Sequence, residues 1–157
     1  MRDTLQTLKP ALGSPAFCRR WRLTSFSCGD HIERAFNAQP TNVRIMIVED
    51  DVLLAMDLAG CLRDAGLDVV GPFASVEVAL QGMTDHRPHI AILDIDLNGQ
   101  MSFLVADALA TENVPFVWLS GSSPDVLPEH HRHRPFLTKP FASRTILRVM
   151  TDLLKTP

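Results

Sequence analysis

Glu49, Asp50, Asp94, Ser120 and Lys139 are the residues of this chain best suited to handling a phosphoryl group, and each stands just past an apolar run. The runs are VRIMIV before Glu49 and Asp50, HIAIL before Asp94, PFVWL before Ser120 and PFLT before Lys139. Aspartate is a competent nucleophile toward phosphorus: it is ionised at neutral pH and forms an acyl phosphate, a mixed anhydride that can be hydrolysed again. Asp94 is the candidate. A carboxylate attacking a phosphoryl group meets charge repulsion, so a hard divalent cation is required, and Mg2+ is held by carboxylates together with phosphate oxygens and water. Glu49 and Asp50 supply that coordination, with Asp94 as a further ligand. Lys139 offers a point charge to one phosphate oxygen, and Ser120 a neutral hydrogen bond to another.

These side chains can meet only if the runs are parallel strands, whose carboxyl ends open on one crevice at the topological switch point. From Val43 onward, short apolar runs alternate with helix-length segments, the signature of repeated βαβ units. Strands are expected at 43–48, 67–70, 89–93, 115–119 and 135–138. The first, third and fourth are apolar almost throughout, as central strands covered on both faces must be. Helices are expected at 52–65, 76–85, 103–111 and 142–155. The first carries Leu54, Leu58, Cys61, Leu62 and Ala65 on one stripe, with Gly66 as its stop. Ser75 and Ser102 are the expected N-caps of the second and third. Met46, Met56, Phe116 and Trp118 are assigned to the core.

The segment 121–134, GSSPDVLPEHHRHR, occupies the slot where a further helix is due. Pro124 and Pro128 each remove a backbone donor and disfavour helix at the preceding residue. One short turn at most is expected there, around 125–131, in the most mobile connection of the domain. His130, His131 and His133 are read as polar loop residues, because only Glu129 and Asp125 stand nearby in sequence as further metal donors.

Composition narrows the function. At 157 residues and 46% hydrophobic, one folded unit with a proper core is expected. Residues 1–42 hold six Lys or Arg against three acids, and residues 43–157 nine against fifteen. An acidic body argues against nucleic acid as a direct partner. Residues 1–42, rich in Pro, Gly, Ser and Thr, read as a disordered basic extension with at most a short helix over 26–38. Arg19 and Arg20 are followed by no apolar stretch of the kind an export signal needs, and Trp21 among the arginines carries no assigned role. No run approaches the roughly 20 residues that span a bilayer. Cys18, Cys28 and Cys61 form no CxxC pair and leave an odd count, which reads as reduced thiols in a cytoplasmic protein. No Gly-rich nucleotide-binding motif occurs.

VRIMIVEDD, IAILDIDL, PFVWLSG and PFLTKPF together resemble the four signature segments of the receiver domain of two-component response regulators. The resemblance covers residues 43–155 and implies a doubly wound five-stranded parallel sheet of flavodoxin-like order 2-1-3-4-5. By position it implies that Asp94 is the phosphoacceptor, Glu49 and Asp50 the acidic pair for Mg2+, Ser120 the switch hydroxyl and Lys139 the phosphate-sensing lysine. It further implies that the backbone carbonyl of Asp96 completes the metal site, that Phe136 is the switch aromatic, and that the Lys139–Pro140 bond is cis. The acceptor loop LNGQMS lacks a proline, and its one glycine, Gly99, is not at the family's usual glycine position. That departure, with SFLVADAL, GSSPDVLP and the weak or missing fourth helix, resembles the single-domain FAT GUY branch, which implies a histidine kinase of the HWE type as partner.

The expected function is therefore that of a signalling protein, not an enzyme with a turnover of its own. It takes a phosphoryl group from a histidine kinase onto Asp94 and passes the signal to a downstream protein, or drains the kinase as a phosphate sink. Since the chain ends with the last helix, output is expected by contact at 121–134, 135–138 and 142–155, from a monomer or weak dimer. Two alternatives stand beside it. One is an unphosphorylated pseudo-receiver that only binds partners. The other is a haloacid-dehalogenase-like phosphatase using Asp94 and Asp96, although such enzymes carry their Asp pair on the first strand.

Overall fold

The structure, a computed structural model, describes residues 43–121 and 123–155. The extension assigned to 1–42, with Cys18, Cys28 and Trp21, lies outside the described residues.

Strands β1 (Arg44–Val48), β2 (Asp68–Phe73), β3 (Ile90–Asp94), β6 (Phe116–Ser120) and β7 (Phe136–Thr138) form one sheet in the order β2-β1-β3-β6-β7, all neighbours parallel. The two remaining strands, β4 (Asp96–Leu97) and β5 (Gln100–Met101), make a separate antiparallel hairpin. Counting the main sheet alone, the order is 2-1-3-4-5, as expected. Four α-helices accompany it: α1 (Val52–Asp64), α2 (Val76–His86), α3 (Phe103–Thr111) and α4 (Ser143–Lys155).

The central strands β1, β3 and β6 are buried almost end to end, so alternate residues feed two separate cores. Ile45, Ile47, Ile90, Ile92, Val117 and Leu119 pack on one face with Leu58 and Leu62 of α1 and Ile146, Leu147 and Met150 of α4. Met46, Val48, Ala91, Leu93, Phe116 and Trp118 pack on the other with Val76 and Ala79 of α2 and Val105, Ala106 and Leu109 of α3. Burial on both faces holds the strand ends in fixed register, which is what a site built there requires.

Helix starts follow local chemistry. Asp51 caps α1 by accepting from the N–H groups of Leu53 and Leu54 at 2.9 and 3.1 Å, and the Ser75 hydroxyl accepts from Val78 N–H at 3.5 Å. Gly66 ends the first helix with φ +79, the left-handed conformation its lack of a Cβ permits.

Several expectations are corrected. Met56 is exposed on α1 beside Val52 and Leu53, because it lies on the face opposite Leu58 and Leu62. Cys61 is only half-buried at the margin of the core. Ser102 precedes α3 but makes no side-chain cap, its hydroxyl being turned inward. The acceptor loop holds a hairpin that the sequence does not predict, and β2 runs on to Phe73 through a cis Gly71–Pro72 bond, whereas Lys139–Pro140 is cis as expected. Where a helix was due, the prolines leave no α-helix, but two single 3-10 turns stand at Pro124–Val126 and Glu129–His131 where one at most was expected.

Two glycines separate backbone propensity from packing. Gly60 in α1 has open space where a Cβ would stand, whereas a Cβ on Gly82 in α2 would lie 2.1 Å from Phe73 Cζ. Gly60→Ala is expected to stabilise the fold by about 0.5–1 kcal/mol. Gly82→Ala is expected to destabilise it by about 1–3 kcal/mol through overpacking. Urea denaturation checks both, and an equally stable Gly82→Ala protein would contradict the packing assignment.

Candidate functional site

The register of the sheet assembles the site. Val48 pairs with Leu93, so Glu49 and Asp94 lie one step beyond on neighbouring strands. Asp94 pairs with Leu119, and Ser120 with Thr138, which sets Ser120 and Lys139 at the next levels. The Lys139 N–H donates to the Ser120 carbonyl at 2.8 Å, tying the lysine's backbone to the end of β6. Of the three consecutive acids, Asp51 is spent on capping α1, which leaves Glu49 and Asp50 to the crevice. Glu49, Asp94 and Ser120 are all buried.

The Lys139 ammonium donates to Asp94 Oδ2 at 2.6 Å and to Glu49 Oε2 at 2.7 Å, bridging two carboxylates. The other Asp94 oxygen, Oδ1, accepts from Ile95 N–H at 2.7 Å. Asp51 N–H reaches Glu49 Oε1 at 3.3 Å, and Asn98 N–H reaches Asp50 Oδ2 at 3.0 Å. Glu49, Asp50 and Asp94 each present a carboxylate oxygen within 4.8 Å of the others. An all-oxygen donor set of this kind fits a hard cation such as Mg2+, and these three residues would hold it. The Asp96 carboxylate instead accepts from Gly99 N–H at 2.6 Å within the hairpin turn.

Electrostatics follow from that crowding. Burial is the main cause that pushes Glu49 up from 4.5 to about 7; the Asp94 charge adds to it, while the Lys139 hydrogen bond works against it. Burial disfavours the Lys139 ammonium, yet its bonds to Asp94 and Glu49 outweigh that and hold it above the usual lysine value.

Phe136 is half-buried on β7 and packs against the core that holds Trp118. The sequence-assigned residues Glu49, Asp50, Asp94, Ser120 and Lys139 are therefore brought to one end of the sheet.

Sequence reasoning missed two features. Ser102 is fully buried, and its hydroxyl donates to the backbone carbonyl of Asp94. The other concerns the histidines of the 124–131 connection. His130 and His131 both donate Nε2–H to Asp107 Oδ1 of α3, at 3.0 and 2.8 Å, and these bonds hold the Asp107 carboxyl below its usual range. His131 is buried edge-on to Phe116 and Trp118, with ring centroids 5.6 and 6.1 Å away. Leu127 is buried with it, so the connection carries two anchors and is not a bare polar loop. Asp107 lies 24 residues from His131, beyond any local spacing rule. The three groups are close enough to share an ion. However, His131 Nδ1 is buried without a partner, and a metal on Nε2 would force a proton onto that nitrogen with nothing to accept it. The cluster is a hydrogen-bonded latch.

Comparison with known proteins bears on the whole arrangement. Residues 45–151 match the family model of the response regulator receiver domain. The chain is 31% identical over 103 residues to the transcriptional regulatory protein PdtaR of Mycobacterium tuberculosis, an alignment covering 63% of this chain and 50% of that protein. It is 30% identical over 114 residues to the phyllosphere-induced regulator PhyR of Methylorubrum extorquens, covering 70% and 43%. The chain thus spans about half the length of the curated relatives it matches. Among solved structures, SdrG from Sphingomonas melonis superposes with a TM-score of 0.65 at 37% identity, covering 74% of this chain and 99% of SdrG.

The Glu49 proton provides a test of the site. The folded protein binds it more tightly than the unfolded chain, so the stability it contributes is fully present below pH 4.5 and is lost as the pH rises through about 7. Denaturation in a chelator is expected to show falling stability across that window, and Glu49→Gln to remove the fall. Mg2+ held by Glu49 would have to displace the same proton, so its affinity is expected to rise about tenfold from roughly pH 6 to pH 8. A pH-independent Mg2+ affinity in calorimetric titration would contradict this account of the site.

Proposed function

The chain belongs to the response regulator receiver domain family, and from that premise we propose that it is a phosphoacceptor whose nucleophile is Asp94. The observation that carries the reading is the shared ammonium: Lys139 holds one oxygen of Asp94 while Glu49 and Asp50 stand within 4.8 Å with oxygens of their own. Negative charge is concentrated beside a carboxylate whose second oxygen is fixed by Ile95 N–H.

In the proposed reaction an Asp94 oxygen attacks the phosphorus of a phosphohistidine on a histidine kinase of the HWE type. The O–P bond forms, the N–P bond breaks, and the imidazole nitrogen keeps the electron pair and takes up a proton. Mg2+, held by Glu49, Asp50, Asp94 and the carbonyl of Asp96, would offset the charge repulsion of that approach. Lys139 then passes from the carboxylate to a phosphoryl oxygen, and Ser120 donates to another. The added charge of about −1.5 to −2 draws both inward, and Phe136, which pairs with Trp118 two residues before Ser120 on β6, moves with Ser120. Hydrolysis of the acyl phosphate by water returns Asp94 to its carboxylate.

The structure of SdrG in its BeF3-activated conformation, at 37% identity to this chain and a TM-score of 0.62, supports the reading. The family consists of signalling regulators, and the haloacid-dehalogenase-like alternative gives way to it. Output goes to a downstream protein through the 121–134, β7 and α4 face, or the chain drains a kinase as a sink, working in the cytoplasm as a monomer or weak dimer. The receiver unit is residues 43–155, and residues 1–42 are a basic extension. Among the described residues, no helix is long and apolar enough to cross a membrane.

Incubation with acetyl phosphate and Mg2+ is expected to add roughly 80 daltons, one PO3 unit, to the wild-type chain. Asp94→Asn is expected to gain nothing, and chelation to abolish the gain. Wild-type protein that is folded, binds Mg2+ and gains no mass would instead favour the pseudo-receiver reading.

A further inference from the structure

Ser102 stands at the N-cap position of α3, where a serine normally accepts a hydrogen bond from the helix's first turn. Asp51 and Ser75 do this at the starts of α1 and α2, but Ser102 does not. Its side chain is fully buried and points back at the end of β3. The hydroxyl donates to the Asp94 carbonyl and lies 3.3 Å from the Ile95 carbonyl, while the Ser102 N–H donates to the Ile95 carbonyl at 2.9 Å.

The Asp94 carbonyl and the Ile95 N–H belong to one peptide unit, which is planar and rotates as a rigid body. Ser102 grips the carbonyl end of that plane. The N–H end donates to Asp94 Oδ1 at 2.7 Å and, more weakly, to the Leu119 carbonyl at 3.3 Å. Fixing one end of the plane therefore aims the other, and through it sets the torsion of the Asp94 carboxylate. Lys139 constrains the opposite oxygen, Oδ2. The carboxylate is thus held from two sides: by an ammonium across the crevice, and by its own backbone, locked in turn by a residue eight positions on in the sequence.

We infer that Ser102 is a positioning residue for the Asp94 nucleophile: by clamping the Asp94–Ile95 peptide plane, it holds the carboxylate in the orientation from which it attacks phosphorus. This rests on the phosphoacceptor reading above. Ser102 exchanges no proton and touches neither donor nor phosphoryl group. Its effect falls on the rate of an oriented step, where small misplacements are costly. A serine serving only to brace the hairpin would affect folding and leave the rate per folded molecule alone.

Ser102→Ala and Ser102→Thr test this in the full chain, with thermal unfolding to establish the folded fraction. At saturating Mg2+ and acetyl phosphate, Ser102→Ala is expected to lower the rate of mass gain per folded molecule by about tenfold, with half-saturating Mg2+ within about twofold of wild type. Ser102→Thr, which keeps the hydroxyl, is expected to recover most of that rate if it folds. In NMR spectra the Ile95 amide proton, deshielded by the carboxylate, is expected to move upfield in Ser102→Ala. A folded Ser102→Ala protein labelled at the wild-type rate would overturn the inference, and so would an unmoved Ile95 amide. If wild-type protein itself takes no label, the phosphoacceptor reading fails first. The Ile95 shift then decides separately whether Ser102 orients Asp94.

Discussion

Two carboxylates and one ammonium meet at the carboxyl end of the sheet, and the rest of the molecule is what makes that meeting tolerable. Like charges about 4 Å apart repel by on the order of 4 kcal/mol at the effective dielectric of a protein. Glu49 and Asp94 are both withdrawn from water, so neither repulsion nor desolvation is relieved by solvent. Lys139 offsets both at once, bonded to each at 2.6–2.7 Å. Breaking such an arrangement from one side leaves an unpaired buried charge, which is far more costly than the pair itself is worth. In the proposed function such a site exchanges partners: cation for proton at Glu49, and phosphoryl oxygen for carboxylate at Lys139.

Only a rigid frame can hold those charges in place. Burial of β1, β3 and β6 on both faces supplies it, with a different set of helices against each face. The last crossover, between β6 and β7, has two 3-10 turns in place of a helix. There, Leu127 and the Asp107–His131 latch fasten the connection to α3 and to the aromatic pair Phe116 and Trp118. The same β6 strand carries Trp118 into the core and Ser120 into the crevice. Ser120 is thus mechanically close to the latched connection, part of the face proposed for output.

Much of this was readable in the chain. The central strands and the five crevice residues follow from apolar runs that each stop at a polar group, because a strand buried on both faces meets water only at its ends; the strand order came from the resemblance of the four segments to the receiver domain. Positions set by long-range packing were not readable. Met56 has the hydrophobicity of a core residue but the wrong helical phase. Ser102 has the identity of an N-cap, yet its hydroxyl finds better acceptors in the end of β3. His131 looked like a loop residue because its partner, Asp107, belongs to another element. In each case tertiary contact overrode a local preference.

The central claim is that this crevice makes a nucleophile of one carboxylate and no other. Borohydride reduces an acyl phosphate to an alcohol and would leave homoserine where an aspartyl phosphate stood. After exposure to acetyl phosphate and Mg2+, peptide mapping by tandem mass spectrometry is expected to find homoserine at position 94 alone. Homoserine at another acid, such as Asp50 or Asp96, or none at all in protein that has bound Mg2+, would contradict the account.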